Sequence, residues 1–341
     1  MKYSIGYWLP NEFDSTVDVC RDYMQHISNV YFSFANEKSG RLPLCGANDL
    51  KSIEGIQLDE LRKIKDMGKS LTLLLNASCY GEGAVSISLM EHIVNICKRL
   101  KQTVDIDRVT TTSPFIAEVV KGHFGNDINV IASVNMRIGS IKAMEQLQHY
   151  FDGYYLAKEC NRNSLLLNEL LDWCEQNEKQ AFLLANSGCI PHCAFQAFHD
   201  NLVSHQDVSY RDDTSWLGLP SPCHRFISSM KPADGLAYFL AGSWIRPEDI
   251  RHLEGRFNEI KLATRMHASP RRIISAYVRG RYKGNLLDLT EPSFSRDFPY
   301  TVLDNTLIPD DFFDTVSSCD KKCSSCSYCK KCAALSTLKI Y

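Results

Sequence analysis

The sequence predicts an α/β fold: a TIM-like (β/α)8 barrel with a long insertion after strand seven and a Cys-rich C-terminal tail. Strand-like and helix-like patterns alternate from the first residues, and such alternation implies parallel strands joined by crossover helices. Eight units of this kind favour a closed barrel over an open doubly wound sheet. No G-x-G-x-x-G motif follows the first strand, which counts against a dinucleotide-binding fold.

The predicted strands are short apolar runs. The run LTLLLN at Leu71–Asn76 is continuous, as expected for a strand that is buried on both faces. The eighth strand is predicted only after the long insertion that follows the seventh strand. The eight predicted strands span residues 3–8, 30–35, 71–76, 109–112, 128–135, 154–157, 181–185 and 259–263.

The predicted helices lie between these strands. Pro114 suits the first turn of one helix, and Ser140 is a candidate N-cap of the helix that runs to Tyr150. Apolar residues from Leu89 to Leu100 have helical spacing. The other predicted helices span residues 13–26, 58–67, 164–176 and 270–278.

The chain is expected to have two parts. Residues 1–290 form the barrel, with residues 187–257 inserted between strands seven and eight. Residues 291–341 form an irregular Cys-rich segment that packs on the barrel. Strand eight should pair with strand one, and the insertion should cover the C-terminal face, where barrel enzymes carry their active sites.

Composition excludes several classes of protein. A hydrophobic fraction of 44% and a charged fraction of 23% are ordinary for a globular domain and exclude general disorder. The net charge of -2 gives no electrostatic case for binding duplex nucleic acid or an anionic membrane. No apolar run reaches the roughly 20 residues of a membrane span. The N-terminus lacks the features of a signal peptide, so a cytoplasmic location is expected.

Clustered cysteines are the main chemical clue among the 14 in the chain, because in a reducing compartment they more often bind metal than form disulfides. Cys189 and Cys193 follow strand seven, and Cys223 lies in the same insertion. We predict a metal site formed by these three residues and one tail cysteine, Cys329. Four thiolates suit a [4Fe–4S] cluster or Zn²⁺. One close pair with distant single cysteines favours the cluster, and zinc stays the alternative.

Polar residues at the predicted strand ends form the candidate pocket. Lys158 and Glu159 follow strand six, and Glu159 is either a general acid/base or a counter-charge for the neighbouring cations. The cations at these ends favour an anionic ligand. The candidate substrate-binding residues are Asn76, Asn135, Arg137 and Arg265.

Residues 105–290 resemble the U32 family of collagenase-like peptidases. The resembling stretches are Asp107–Val109 with Ser113-Pro114, Ser133–Arg137, Gly153–Glu159, the loop Asn186–His199, Ile245–Asp249 and Tyr282–Leu286. The resemblance implies a barrel that bears a [4Fe–4S] cluster on four cysteines. It also implies oxygen-independent hydroxylation of a nucleobase or a ubiquinone precursor, with prephenate as the oxygen-donating co-substrate.

This sequence departs from the family pattern at several points. Lys158-Glu159 stands where the family usually has Arg-Glu, and the Asn-Arg-Gly-x-Cys stretch of its RNA-acting members is missing. The substrate class, whether small molecule, nucleobase or peptide, is therefore left open. A peptidase-like enzyme and a non-catalytic cluster-bearing subunit stay as alternatives, as does a heterodimer with a related subunit. No H-E-x-x-H or G-x-S-x-G motif supports peptidase chemistry.

Overall fold

The predicted barrel is confirmed in a computed structural model, which describes residues 1–35, 37–41, 50–205 and 222–339. Eight parallel strands close in chain order. The eighth strand pairs with the first through Lys2–Glu259, Tyr3–Ile260 and Ser4–Lys261. The barrel strands are β1 (Lys2–Gly6), β2 (Ile27–Phe32), β3 (Ser70–Leu75), β4 (Arg108–Thr111), β5 (Asn129–Ala132), β6 (Gly153–Tyr155), β7 (Gln180–Leu184) and β8 (Glu259–Lys261).

Helices surround the strands. Ser140 caps its helix as predicted, because its side chain accepts a hydrogen bond from the backbone N–H of Ala143. The helices of the barrel are α1 (Thr16–Asp22), α2 (Leu50–Asp66), α3 (Ile87–Val104), α4 (Pro114–Phe124), α5 (Ile141–Leu147) and α6 (Ser164–Gln176). The later helices are α7 (Gln196–Ser204), α8 (Pro222–Ser228), α9 (Pro232–Leu240), α10 (Pro270–Arg279), α11 (Phe312–Ser317) and α12 (Tyr328–Ser336).

Several predicted boundaries moved, among them the start of α2, which lies at Leu50 in place of residue 58, and two of the shifts have polar causes. β2 begins at Ile27, earlier than the predicted residue 30, because buried Asn29 donates to Ser4 and accepts from Thr72 across neighbouring strands. An apolar pattern does not reveal a strand that carries a satisfied polar side chain inside a barrel. The first helix begins at Thr16, later than predicted, since the Asn11 side chain accepts two backbone N–H bonds and holds residues 11–14 in a turn.

The interior of the barrel is partly polar. Strand residues alternate between the helix layer and the barrel interior, which is filled by side chains. Ile131, Tyr155 and Phe182 form a small apolar cluster apart from the main core. Arg108 and Glu259 form an ion pair at 3.1 Å, with the Glu259 side chain only 6% exposed.

The insertion and the tail pack together at one side of the barrel. The insertion contributes α7, α8 and α9, while residues 206–221 of the predicted insertion lie outside the described residues. α9 packs against α12 of the tail. The tail is more regular than predicted, because β9 (Thr301–Leu303) and β10 (Thr337–Lys339) pair antiparallel.

No helix in the described part of the chain is both long enough and apolar enough to cross a membrane.

Candidate functional site

Two neighbouring cavities lie at the C-terminal ends of the strands. The inner cavity, about 80 Å³, is bounded by residues of the strand ends, and the outer cavity, about 280 Å³, lies under the insertion. Because they share five lining residues, the two cavities form one site. The shared residues are Arg41, Asn135, Lys158, Met266 and Glu291.

Arg265 is a buried cation in the wall of the inner cavity. Its Nη2 donates to Ser39 Oγ at 3.2 Å, whereas its Nη1 is buried and has no hydrogen-bond partner. Burial lowers the pKa of Arg265 to about 10. β1 makes room for this side chain with a glycine, since a Cβ on Gly6 would lie 2.7 Å from Arg265 Cβ. A buried guanidinium N–H without a partner is suited to an anionic group of a ligand.

Two amides complete the polar wall of the inner cavity. Asn76 Oδ1 accepts from the backbone N–H of Gly40 at 2.9 Å, and its Nδ2 donates to Ser133 Oγ at 3.3 Å. Asn135 reaches both cavities. A Cβ on Gly40 would lie 2.5 Å from Asn135 Nδ2, so only glycine lets this loop approach both amides. Asn76, Asn135 and Arg265 therefore meet, as the strand ends predicted.

Lys158 links the cationic inner cavity to a thiol. It is buried and lines both cavities, and its charge acts on the Cys189 thiol of the outer cavity. Burial by itself would raise the pKa of the Cys189 thiol, but Lys158 and Arg41 outweigh burial and lower it. The surroundings of Cys189 thus favour a thiolate, the form that acts as metal ligand and nucleophile.

The other two insertion cysteines line the same outer cavity as Cys189. Burial raises the pKa of Cys223 to about 11, and it also raises that of Cys193. In the described part of the chain, no three histidine, cysteine, aspartate or glutamate side chains stand close enough to hold a metal ion. Three thiols therefore share a cavity without being gathered around one point.

A histidine–carboxylate pair forms another wall of the outer cavity. His224 Nδ1 lies 2.7 Å from Asp297 Oδ2, and Ser228 donates to the other carboxylate oxygen. The Asp297 side chain is 8% exposed and the His224 side chain 30% exposed, so the carboxylate is buried while the imidazole stays partly accessible. Such a carboxylate fixes the orientation of the imidazole ring.

Lys261 is a buried amine at the floor of the inner cavity. Its Nζ lies 3.9 Å from the ring centre of Tyr31 and 4.7 Å from that of Tyr155. Both rings favour the charged form, but burial and the nearby Arg265 lower the pKa of Lys261 to about 7.

We expect Lys261 to make stability depend on pH. The unfolded chain keeps the ordinary pKa and so binds more protons than the folded chain between about pH 7 and about pH 10.5, and stability rises with pH across this range. From about pH 7 to about pH 9, Lys261 should add roughly 2 kcal/mol to the free energy of unfolding. Urea titrations of the wild type and of Lys261→Met measure this difference; equal pH slopes in the two proteins would contradict the prediction.

Three predicted site residues stand elsewhere. Arg137 forms an ion pair with Asp200 of α7 at 3.2 Å and lines neither cavity. Glu159 lines neither cavity, although it neighbours Lys158. Cys329 lies on α12, and the thiols whose charges act on it are Cys319, Cys323 and Cys332 of the tail. Arg137 and Glu159 therefore do not join Asn76, Asn135 and Arg265 in the inner cavity, and Cys329 does not join Cys189, Cys193 and Cys223 in the outer one.

Several site residues were not predicted. Arg41 lies in a loop without periodicity, and Lys261 looks like an ordinary strand residue, so neither has a local sequence signal. Asp297 lies in the segment predicted to be irregular and pairs with His224 across the fold. Besides the insertion cysteines, the crowding of His192, His199, His205 and His224 in the insertion pointed to this surface.

Comparisons with known proteins agree with the family resemblance at a coarse level. No family model matches the chain. A Methanocaldococcus jannaschii protein named as an uncharacterized protease is 27% identical over 268 residues, which cover 76% of this chain and 75% of that protein. The solved structure of a U32 peptidase covers 77% of this chain and 92% of its own, with a TM-score of 0.52 and 14% identity. The chain is therefore similar in sequence to a protease-named protein and similar in fold to a U32 peptidase.

Proposed function

We propose that this chain is a U32-peptidase-like enzyme that modifies an anionic or strongly polar substrate with the help of an iron–sulfur cluster. The observation that carries the proposal is a cationic inner cavity that adjoins three thiols through shared walls. Lys158 and Arg41 line both cavities, so a substrate in the inner one lies next to Cys189 in the outer one.

The residues present fit three of the four ligands of a [4Fe–4S] cluster. Cys189, Cys193 and Cys223 share one cavity, and two cations beside Cys189 offset the negative charge of cluster thiolates. Binding would have to draw the three thiols together. The sequence prediction took Cys329 as the fourth ligand, but no fourth cysteine lines the described walls; His199, Asp200 and His224 do. In this proposal, one of these side chains or the substrate would bind the fourth iron of the cluster.

The chain's own residues would bind and orient the substrate. A carboxylate placed against Arg265 Nη1 satisfies the partnerless N–H, while Asn76 and Asn135 supply amide hydrogen bonds beside it. Prephenate, the co-substrate that the family resemblance implies, is a dianion and suits this wall. When bound, an iron–sulfur cluster supplies redox chemistry, which the amino-acid side chains here lack.

The proposal is tested by anaerobic reconstitution. We expect the wild type to acquire iron, sulfide and the broad visible absorbance of a cluster, and Cys189→Ser to lose all three. Cys174→Ser is the matched control, because Cys174 is a buried thiol of α6 that lines neither cavity. Full iron and sulfide content in Cys189→Ser would refute the assignment.

A second candidate function is thiol-dependent action on peptides. It is favoured by the His224–Asp297 pair, which shares the outer cavity with the thiolate-favouring Cys189. The resulting set of thiol, imidazole and carboxylate has the composition of a cysteine nucleophile with its base. Cleavage of a peptide library by metal-free protein, lost in both Cys189→Ser and His224→Ala, would support this function over the first.

A further inference from the structure

The Cys-rich tail holds a second group of thiols, distant in sequence from the outer cavity. Cys329 and Cys332 are three positions apart on α12 and therefore on one face of the helix. Cys319 and Cys323 precede the helix, and the charges of both, like that of Cys332, act on the Cys329 thiol. These four residues form two close pairs, C-x3-C and C-x2-C, and we call them the tail thiols.

The loop before α12 is already bent around one of these sulfurs. The backbone N–H of Lys321 lies 3.3 Å from Cys319 Sγ, and the N–H of Cys323 donates to Lys321 O at 2.9 Å. Lys321 has a φ of 62°, which lets the chain reverse there. The backbone between Cys319 and Cys323 is therefore already folded into a tight turn.

A buried cation beside the tail thiols has two nitrogens without hydrogen-bond partners. Arg162 donates Nη1 to the carbonyl oxygens of Leu240 and Gly242, but its buried Nε and Nη2 have no hydrogen-bond partner. The carboxylate that acts most strongly on Arg162, Asp249, is already bound by two nitrogens of Arg246. Cys329 is the next group that acts on Arg162, and it would carry a negative charge as a metal-bound thiolate. Partnerless N–H groups on a buried guanidinium indicate an anionic neighbour.

We propose that the tail thiols bind one Zn²⁺ as a four-thiolate site whose negative charge is offset by Arg162. Two close cysteine pairs are typical of structural zinc. The thiols are not gathered to ligand distance, so binding has to draw Cys319 and Cys323 towards α12. Cys323 is exposed and the segment around it is solvent-facing, which leaves room for this closure.

The proposed zinc site would connect three parts of the fold, namely the tail, the insertion and the turn that contains Lys158. α12 packs on α9 of the insertion, and Arg162 ends the 3-10 turn Lys158–Arg162. The other end of that turn is Lys158, which lines the functional site. Zinc at the tail thiols would therefore hold the insertion and the Lys158 turn in place, which is a structural role independent of the cluster proposed for the outer cavity.

The test compares two neighbouring cysteines in the full-length chain. Cys326 is exposed and is not among the thiols that act on Cys329, so Cys326→Ser is the matched control for Cys329→Ser. We expect the wild type and Cys326→Ser to retain one zinc per chain and, with Co²⁺ substituted, to show the visible bands of a tetrahedral thiolate site. Cys329→Ser should bind Co²⁺ at least about 100-fold more weakly, beyond what outer-shell changes cause.

A protein with Cys189, Cys193 and Cys223 all changed to serine separates this proposal from the one on function. Full zinc content in that protein, whatever its iron content, supports the tail site. If it cannot be purified, chelation of wild-type zinc with retention of iron and sulfide gives the same separation. Equal Co²⁺ affinity in Cys326→Ser and Cys329→Ser, or iron and sulfide on the tail thiols in place of zinc, would overturn the proposal.

Discussion

Replacing Arg265 by alanine is expected to weaken the binding of prephenate, used as a dianionic probe, by about tenfold to 100-fold. The reason is that Arg265 lines the inner cavity and its buried Nη1 has no protein partner, so a carboxylate that reaches this nitrogen would satisfy its hydrogen bond. A hydrogen bond to a charged group is worth about 1.5–3 kcal/mol, which corresponds to that range of affinity. Isothermal titration calorimetry measures the change directly.

Arg137→Ala is the matched control for this experiment. Arg137 was also predicted to bind substrate, but its guanidinium is bound to Asp200 and lines neither cavity. Its replacement should change prephenate affinity less than about twofold, since a partly exposed ion pair contributes little. Iron content is measured in both variants. Equal loss of affinity in the two variants, or loss of iron alone in Arg265→Ala, would reject the ligand-binding role of Arg265.

The largest effect on stability is expected at Asp249. Arg246 donates two hydrogen bonds to this carboxylate, each 2.8 Å long, and the two side chains are 5% and 2% exposed. Asp249→Ala would leave the Arg246 guanidinium buried without its partner, and would remove the carboxylate that acts most strongly on Arg162. We expect the free energy of unfolding to fall by about 3–5 kcal/mol, the usual cost of breaking a buried pair. Denaturant unfolding of the metal-free protein measures it.

Asp59→Ala provides the comparison for an exposed pair. Asp59 and Lys63 lie one turn apart on α2, 2.6 Å between their charged atoms, with both side chains more than half exposed. Water and salt screen such pairs, so we expect a loss of about 0–1 kcal/mol. A loss at Asp249 no greater than the loss at Asp59 would show that the buried pair does not stabilise the fold as proposed.

The strand ends made part of the candidate site predictable. Because parallel strands of a barrel bring their carboxyl ends to one face, Asn76, Asn135, Lys158 and Arg265 could be grouped from the order of the strands alone. The C-x3-C pair that follows β7 could be placed at that face for the same reason. Each of these residues lines one of the two cavities.

The remaining site residues depend on how loops fold over the face. Arg41 enters from the β2–α2 loop and Asp297 from beyond residue 290, and neither position follows from a local pattern. The same holds for the direction of a side chain at a strand end: Arg137, with a φ of 55°, follows a short 3-10 turn and reaches Asp200 on the insertion. Loop conformation and ion-pair choice are tertiary properties, because they depend on contacts between distant segments.

By itself the sequence determined the eight-stranded barrel, the insertion after β7 and the presence of thiols at the barrel mouth. These features follow from the periodicity of the apolar residues and from the length and order of the segments, all of which can be read from the sequence. Only the tertiary structure decided which cysteines share a space. It separates Cys329, on α12, from Cys189 in the outer cavity, and it places Arg162, with two partnerless nitrogens, beside the tail thiols. Cysteine spacing limits which thiols can meet, but the packing of α12 on α9 settles which ones do, because helix packing is decided by side-chain surfaces that spacing does not encode.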